Sequence, residues 1–308
     1  MPQGPYLPEG FRLHTPENRW VNTPAAMDQA AEEEQILEGI VTRCDCAHNL
    51  VVDCNGITGL IPRSEAALGL SSGRTREIAL LSRVGKPVCF QVIGEGDGQY
   101  LFSRARVQQK ALNYLMENLV PGDIISARVT HLEPFGAFVD IGCGLTSLVG
   151  IEHISVSRIA HPAERFYPGQ WIHVAVRGVD PSMGRVHLTH RELLGTWLEN
   201  ARRFSPGETV SGVVRGNEDY GVFVELNPNL SGLAERKEGV ASGDGVSVYI
   251  KSILPEKMKI KLILIDKLEK TPSTLIRPED YQITQGRLQH FLYSPPGKEG
   301  RLTETVFY

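Results

Sequence analysis

Short segments in which apolar and polar residues alternate recur along most of this 308-residue chain. Residues 172–176, 186–188 and 246–250 are examples, and Gly, Pro, Asn and Asp residues separate such segments. A period of two with turn residues between the runs is typical of β-strands joined by short connections. The pattern therefore predicts an all-β protein.

Two segments break this rhythm with apolar residues at helical spacing. In residues 104–118 and 192–203 these positions are Val107, Ala111, Leu112 and Leu115, and then Leu193, Leu194, Trp197, Leu198 and Ala201. Residues three or four positions apart lie on one face of a helix. We expect both segments to be short helical linkers between β domains.

The sequence contains an internal repeat. Residues 120–141 (VPGDIISARVTHLEPFGAFVDI) align without a gap on residues 205–226 (SPGETVSGVVRGNEDYGVFVEL). A second block follows in both copies, with residues 169–188 over residues 243–262. Two matched blocks in the same order indicate that one structural unit occurs twice.

A weaker third copy precedes these two. Residues 39–53 show the same strand–turn–strand pattern, and residues 85–103 supply closing strands. Where the later copies have an aromatic pair around a glycine, the alignment places Ala47, His48 and Leu50. This copy has therefore lost the aromatic residues.

Each unit is expected to be a small barrel. Five short strands in roughly 70 residues, with a longer connection in the middle, are typical of a Greek-key barrel of the OB type. We predict three tandem five-stranded OB-type barrels joined by short helical linkers. The predicted boundaries are 1–34 for an acidic flexible tail, 35–107, 119–191 and 204–268 for the barrels, and 269–308 for a partly ordered C-terminal tail. The aromatic residues of that tail allow either a strand pair or a docked segment.

The net charge of −4 is unevenly distributed. Residues 1–38 contain seven acidic and two basic residues, a balance of −5, which leaves +1 for the rest of the chain. A nearly neutral body attracts nucleic acid only weakly over long distances. Any affinity for a nucleic acid must therefore come from local basic patches and from base stacking.

The cysteines point to a reducing compartment. The odd set Cys44, Cys46, Cys54, Cys89 and Cys143 does not resemble the disulfide framework of a small secreted domain. The C-x-C spacing at 44–46 fits part of a metal site or small apolar side chains in strands. No second Cys or His pair at ligand spacing completes a site, which favours the apolar interpretation. Residues 1–10 lack the pattern of a secretory signal, and no run approaches the ~20 apolar residues of a membrane span. We expect a cytoplasmic protein that does not enter a membrane.

Phe135 and Phe138 flank Gly136 in a predicted strand. A regular strand would point the two rings to opposite faces, unless Gly136 introduces a bend or bulge that brings both onto one surface. Two rings on one open β-surface suit stacking with bases, whereas the alternative places both in the barrel core. The tyrosine at position 220 of the other copy favours the surface interpretation, because a tyrosine hydroxyl is accommodated better at a solvent-exposed position than in a barrel core.

The second repeat resembles a known RNA-binding module. Its FGAFVDI at 135–141, His-Ile-Ser at 153–155, Arg158 and closing GRVHLT at 184–189 are similar to the S-one RNA-binding motif. This motif is the repeated module of small-subunit ribosomal protein S-one and also occurs in polynucleotide phosphorylase. The resemblance extends over residues 36–268 and implies five-stranded OB-type barrels that bind single-stranded RNA.

By motif position, the family's RNA-contacting residues are Phe135, Phe138, His153, Asp180 and Arg185. The resemblance implies that the two rings stack on bases, that Arg185 contacts a phosphate or lies on a base, and that His153 donates a hydrogen bond. Asp180 either orients Arg185, accepts from a base edge, or is a turn residue before a proline. Protonation of histidines predicts an RNA affinity that rises as the pH falls through ~6.5.

The third repeat keeps the aromatic pair as Tyr220 and Phe223, and Lys259 replaces the arginine. Lys257, Lys259 and Lys261 alternate, which predicts that all three lie on one face of a strand. This row is either a track for phosphates or a guard against edge-to-edge aggregation.

The first repeat has Gly-Leu-Ile-Pro-Arg at 59–63 in place of the histidine element, as in N-terminal modules of the S-one family. The resemblance implies that residues 36–107 dock to the small ribosomal subunit. We therefore expect a ribosome-associated protein that binds single-stranded messenger RNA in translation. The alternatives are an accessory subunit of an RNA-degradation or transcription complex and a protein-interaction scaffold. No P-loop, G-x-S-x-G or H-E-x-x-H motif occurs, so we predict neither catalysis nor a cofactor or metal.

Overall fold

The computed structural model describes residues 2–70, 73, 75–96, 98–298 and 302–308. Its long strands form three closed five-stranded barrels, which confirms the predicted all-β architecture. All three barrels share one topology, in which the third strand pairs in parallel with the fifth and the fourth closes against the first.

The strands follow the repeats in chain order. The first barrel consists of β1 (Leu37–Cys44), β2 (Leu50–Cys54), β3 (Ile57–Ile61), β4 (Pro87–Gly96) and β5 (Gln99–Ser103). The second consists of β6 (Ile124–Glu133), β7 (Gly136–Asp140), β8 (Thr146–Gly150), β9 (Trp171–Asp180) and β10 (Arg185–Thr189). The third consists of β11 (Thr209–Glu218), β12 (Gly221–Asn227), β13 (Leu230–Ala234), β14 (Gly245–Leu254) and β15 (Lys259–Lys267).

Alternation along the strands fills each barrel with β-branched and leucine side chains. Fully buried examples are Val52 and Ile61 in the first barrel, Val139 and Val174 in the second, and Val248 in the third. Their neighbours along each strand point outward, because successive side chains of a strand face opposite sides. The outward positions therefore decide what each barrel can bind.

Two helices precede the first barrel, one lies between its third and fourth strands, and two stand between successive barrels. They are α1 (Pro16–Trp20), α2 (Pro24–Glu32), α3 (Ile78–Leu81), α4 (Arg104–Asn118) and α5 (Trp197–Ala201). α4 has the bounds that the apolar spacing predicts for the first linker. The second linker is divided into a 3₁₀ turn, Arg191–Leu194, and α5, because Gly195 between them has φ +84°.

The N-terminal segment differs from the mobile tail that its acidic composition predicts. Thr15 and Thr23 cap α1 and α2, each of which begins with a proline. Met27 is completely buried in the core of the first barrel. Glu9, which belongs to the acidic tail expected to be flexible, forms a buried ion pair with Arg104 at 2.6 Å. Specific caps and pairs thus order a segment whose composition favours disorder.

The C-terminal segment is both a strand pair and a docked tail. β16 (His290–Leu292) and β17 (Glu304–Val306) pair in antiparallel fashion. Phe291, Tyr293 and Phe307 are buried in the same core as the third barrel. The aromatic residues of the tail therefore extend that core.

The chain divides into two compact units. The first runs through Leu119 and includes Ser126–Arg128 and Asp140–Thr146, and the second comprises the remaining residues from Val120 to Tyr308. No helix within the described ranges has both the length and the apolar character needed to cross a bilayer.

Candidate nucleic-acid interface

The second barrel presents Phe135 and Phe138 together on its surface. Phe135 is 56% exposed in the turn before β7, and Phe138 is half-buried on that strand. Their ring centroids are 6.0 Å apart and their planes meet at 88°. Strand parity does not separate the rings, because Phe135 precedes the strand. The expected bend at Gly136 is therefore unnecessary, and Gly136 has another role: a Cβ there would lie 2.5 Å from the carbonyl oxygen of Val149.

The third barrel repeats this geometry. Tyr220 is 70% exposed in the equivalent turn, and Phe223 is half-buried on β12. The two ring centroids are 6.0 Å apart with an interplanar angle of 86°. Gly221 is needed for the same reason as Gly136, since its Cβ would lie 2.5 Å from the carbonyl oxygen of Ala234. Two repeats of different sequence thus build one aromatic arrangement.

A row of paired residues crosses the outer face beside each aromatic pair. In the third barrel Phe223 pairs with Leu233, and Leu233 pairs with Lys261. In the second barrel Leu148 pairs with His187 in the same parallel arrangement. The strand registers therefore support the sequence alignment of the two repeats.

The first barrel carries an apolar version of this row. Val51 pairs with Leu60, and Leu60 pairs with Leu101, all three half-buried. Val51, and not Leu50, is thus the counterpart of Phe223. The sequence alignment is wrong here by one residue, and Leu50 points into the core. Because side chains alternate along a strand, a shift of one residue exchanges the two faces.

His131 lies beside the aromatic pair Phe135 and Phe138 of the second barrel, although the motif did not identify it. Its exposed imidazole lies on β6 with its centroid 6.3 Å from that of Phe138 and an interplanar angle of 25°. Its Nε2 is 2.7 Å from Oε1 of Glu133. The alignment places His131 over Gly216. The presence of a ring where the other repeat has a glycine was the feature of the sequence that could have identified His131 as part of the aromatic surface.

His153 lies in a 3₁₀ turn at the end of β8, with its side chain 16% exposed. The backbone N–H of His190 donates to its carbonyl oxygen, which fixes the turn. Nη1 of Arg177 lies 2.5 Å from the His153 Nε2, and the buried His153 Nδ1 has no hydrogen-bond partner among the residues that the structure describes. A guanidinium can only donate, so the ring accepts at Nε2. In this geometry His153 offers no outward donor, which differs from its predicted role.

Arg177 is a basic residue that the motif did not identify. It is exposed on β9 beside His153. Burial and the charge of Arg177 lower the pKa of His153 below its ordinary value. Protonation of His153 is therefore expected only at a pH below its ordinary pKa of ~6.5.

Asp180 and Arg185 face each other across the β9–β10 hairpin as paired residues. Oδ1 of Asp180 accepts from the hydroxyl of Ser182 at 2.6 Å and from the backbone N–H of Met183 at 3.1 Å. These hydrogen bonds lower the pKa of Asp180 and show it in the turn-forming role. Arg185 is exposed at the start of β10.

Lys259 occupies the position of Arg185, because it pairs with Leu254 as Arg185 pairs with Asp180. Lys259 and Lys261 are exposed on one face of β15. Lys257 lies in a 3₁₀ turn before the strand, so the predicted row of three lysines is wrong for that residue. β15 pairs on both sides within a closed barrel, which removes the edge-strand interpretation.

Cys44 is half-buried and Cys46 is exposed in the first barrel. Within the described residues, no group of three or more His, Cys, Asp or Glu side chains is arranged to hold a metal ion.

Comparisons with known proteins agree with the motifs. Residues 119–191 match the S1 RNA binding domain family. The chain is 30% identical over 242 residues to the small ribosomal subunit protein bS1 of Leuconostoc lactis, which covers 72% of this chain and 54% of that protein. It is 30% identical over 202 residues to the small ribosomal subunit protein bS1 homolog of Bacillus subtilis, which covers 61% of this chain and 52% of that protein. The chain thus spans about half the length of the curated relatives it matches.

A solved multidomain protein with nucleic acid binding domains from Streptococcus pneumoniae is 15% identical, over 76% of this chain and 74% of that one. The TM-score between the two structures is 0.26. The family match and the sequence relatives confirm the resemblance predicted from the motifs. Residues 119–191 form an S1 RNA-binding domain, and the chain is a tandem S1-motif protein homologous to the small ribosomal subunit proteins bS1 over most of its length.

Proposed function

We propose that the chain binds single-stranded RNA across the outer faces of the second and third barrels. The observation that carries this proposal is the common geometry of the two aromatic pairs, Phe135 with Phe138 and Tyr220 with Phe223. Exposed rings on an open β-surface bind unpaired bases by stacking, and every base offers such a face. Double-stranded RNA keeps its bases stacked inside and does not use such rings.

Cationic groups lie on the same faces. Arg185 and Arg177 are exposed in the second barrel, and Lys259 and Lys261 in the third. We expect these groups to contact phosphates beside the stacked bases. Since they are few and the body of the chain is nearly neutral, the dependence of RNA affinity on salt should be shallow.

We further propose that the first barrel binds the small ribosomal subunit and that the chain assists messenger RNA binding in translation. The outward row Val51, Leu60 and Leu101 has neither the ring of Phe223 nor the cation of Lys261, its counterparts in the third barrel. An apolar row of this kind suits contact with a protein surface better than contact with a phosphate backbone. Two relatives are named as small ribosomal subunit proteins, and a cytoplasmic location follows from the proposed role.

Matched substitutions separate the two activities in the full chain. Leu101→Lys gives the first barrel the residue that the third has at Lys261, and Lys261→Leu makes the reverse exchange. Leu101→Lys should reduce co-sedimentation with small ribosomal subunits and leave the affinity for a 12-nucleotide RNA unchanged. Lys261→Leu should weaken RNA binding and leave co-sedimentation unchanged. Equal effects of both substitutions on both measurements would contradict the proposal that the first barrel binds the ribosomal subunit and the third binds RNA.

A further inference from the structure

The outer side of the third barrel exposes apolar residues at positions that the other two barrels bury. On β15, Ile263 is 44% exposed and Ile265 is 45% exposed. Both alternate with buried residues of the same strand, so they point away from the core. Ile263 pairs with Tyr249 of β14, and Tyr249 pairs with Thr209 of β11. We term the surface formed by these four residues the lateral face.

The second barrel buries the same positions. Thr189 corresponds to Ile263 and pairs with Ala175, which corresponds to Tyr249. Thr189 and Ala175 are both completely buried. Ala175 lies in one hydrophobic core with Leu193, a residue of the 3₁₀ turn that follows β10. The segment after the fifth strand therefore covers this face of the second barrel.

A helix follows the fifth strand of the first barrel and packs beside the same positions. Gln91 and Ser103 form the corresponding pair, because in all three barrels the pair lies two residues before the bulge of the fourth strand. Both side chains are buried. Ser103 caps α4, which packs against β4. Two of the three barrels thus cover this face with a helical segment.

The chain leaves the third barrel in another direction. The N–H of Leu268, directly after β15, donates to the carbonyl oxygen of Gly245 at 2.8 Å. Gly245 begins β14, four positions before Tyr249. The segment that follows contacts the second barrel, where the N–H of Ile276 donates to the carbonyl oxygen of Arg165 at 2.9 Å. The lateral face therefore stays exposed where the other barrels have a helical cover.

The charges beside the lateral face are mainly positive. Lys261 and Lys251 are exposed on β15 and β14, each two positions from an apolar residue of the lateral face. Lys237 donates to the backbone carbonyl oxygen of Ile265. Asp266 is the exposed acidic residue of the same strand. Three cations against one carboxylate favour an acidic partner over a basic one.

We propose that the lateral face binds an acidic amphipathic helix of a partner protein. The apolar side of that helix packs on Tyr249, Ile263 and Ile265, as α4 packs on the first barrel, and its carboxylates contact the lysines. A second copy of this chain fits less well, because a twofold contact brings the same lysines together. The proposal concerns a protein partner and does not depend on RNA binding.

Two peptides that differ only in charge test the proposal. The first has the sequence of α4, residues 104–118, with three basic residues and one acidic residue. In the second, glutamate replaces the three basic residues, Arg104, Arg106 and Lys110. Both peptides keep the apolar positions that α4 buries, so a difference in binding reports on charge.

Methyl NMR of the full chain measures binding at the lateral face. In protein labelled with ¹³C at the isoleucine δ1 methyl groups, Ile263 and Ile265 are assigned by the loss of each resonance in Ile263→Val and Ile265→Val. Both resonances should shift as the acidic peptide is added, with an apparent Kd of about 1 mM or below. The basic peptide should bind about fivefold more weakly or less. The resonance of Ile78, which is 64% exposed on α3, should not move.

Substitutions in the lateral face have matched controls. Ile263→Ser should weaken binding of the acidic peptide about fivefold or more, followed at the Ile265 resonance. Ile78→Ser removes an exposed isoleucine elsewhere and should leave this binding unchanged. Lys251→Gln combined with Lys261→Gln should weaken the acidic peptide about 2- to 10-fold and should not weaken the basic peptide. The four substituted residues are exposed, so the variants should fold normally.

The outcomes distinguish the possible occupants. Unmoved Ile263 and Ile265 resonances, or equal responses to the two peptides, overturn the proposed helix site. A concentration-dependent dimer in sedimentation velocity that Ile263→Ser dissociates assigns the lateral face to a second copy and also overturns it. Binding of the 12-nucleotide RNA is measured separately. A chain that binds this RNA but not the acidic peptide loses the helix site alone, whereas a chain that binds only the peptide loses only the proposed RNA binding.

Discussion

Nη1 of Arg177 lies 2.5 Å from Nε2 of His153. Because the guanidinium has only donors, the imidazole accepts this hydrogen bond and is neutral. Burial and the positive charge of Arg177 both lower the pKa of His153. Arg177 therefore carries the positive charge at this position of the second barrel, and His153 accepts a hydrogen bond from it.

Arg177→Gln should raise the pKa of His153 toward its ordinary value, because the substitution removes a nearby cation while most of the burial remains. The measurement is the titration of the His153 ring by NMR between pH 4.5 and 8, assigned by comparison with His153→Asn. Arg185→Gln is the control, since Arg185 is not among the charges that shift His153. An unchanged His153 midpoint in Arg177→Gln would show that the two side chains do not interact in solution.

The barrels could be predicted because alternation is a property of each strand. The repeat then identified the aromatic pairs, since the same residue types recur at the same spacing in two copies. α4 was predictable for a similar reason, because its apolar residues follow the helical period. The local sequence pattern was therefore sufficient to predict those elements whose structure depends mainly on their own residues.

The remaining features depend on contacts between distant residues. Glu9 meets Arg104 across 95 positions, and no local pattern distinguishes this glutamate from a solvated one. Arg177 and His153 come together only when the barrel closes. The misplacement of Leu50 has another origin: the eroded first repeat has no aromatic residue to fix its register, so one position of error went undetected.

Tyr220→Ala should weaken binding of single-stranded RNA by ~1–3 kcal/mol, the typical contribution of one stacked base. Tyr220→Phe keeps the ring and should have little effect. Both variants should fold normally, since the Tyr220 side chain is mostly exposed. Fluorescence anisotropy with a 12-nucleotide RNA measures the difference, and equal weakening by both substitutions would assign the effect to the hydroxyl and not to stacking.

Glu225→Gln should lower the free energy of unfolding of the second unit by ~3–5 kcal/mol, because it removes one partner of a buried ion pair. Glu225 is 2% exposed and contacts Arg165 at 2.7 Å and Arg215 at 2.5 Å. Without the carboxylate, two buried guanidinium groups lose a counter-charge. Urea denaturation followed by tryptophan fluorescence measures the change.

The matched control for this ion pair is Glu279→Gln. Glu279 pairs with Arg277 at 3.2 Å, but both side chains are more than half exposed. Exposed pairs contribute only ~0–1 kcal/mol. If Glu225→Gln and Glu279→Gln lowered the free energy of unfolding by similar amounts, the ion pairs of Glu225 with Arg165 and Arg215 would be hydrated in solution.

Acidification should destabilise the second unit through His190. Its ring is fully buried, Nδ1 donates to the carbonyl oxygen of Ile154 at 2.7 Å, and Nε2 accepts from the hydroxyl of Tyr281 at 2.9 Å. Burial lowers the pKa of His190 to about 4, whereas the unfolded chain has the ordinary value of ~6.5. Between these values the unfolded state binds the proton, so the contribution of His190 to stability is present above pH ~6.5 and is lost as the pH falls toward ~4.

The size of this effect is limited to about 1.4 kcal/mol per pH unit for one proton. The measurement is urea denaturation at pH 7, 6 and 5, followed by tryptophan fluorescence. His190→Gln should be less stable than wild type at pH 7 and lose less stability on acidification, because it has no proton to bind at this position. The control is His187→Gln, at an exposed position of the same barrel. Its free energy of unfolding should change with pH as that of the wild type does. If His190→Gln and wild type lose stability in parallel, protonation of His190 does not govern acid unfolding, and the buried carboxylates of the second unit become the better explanation.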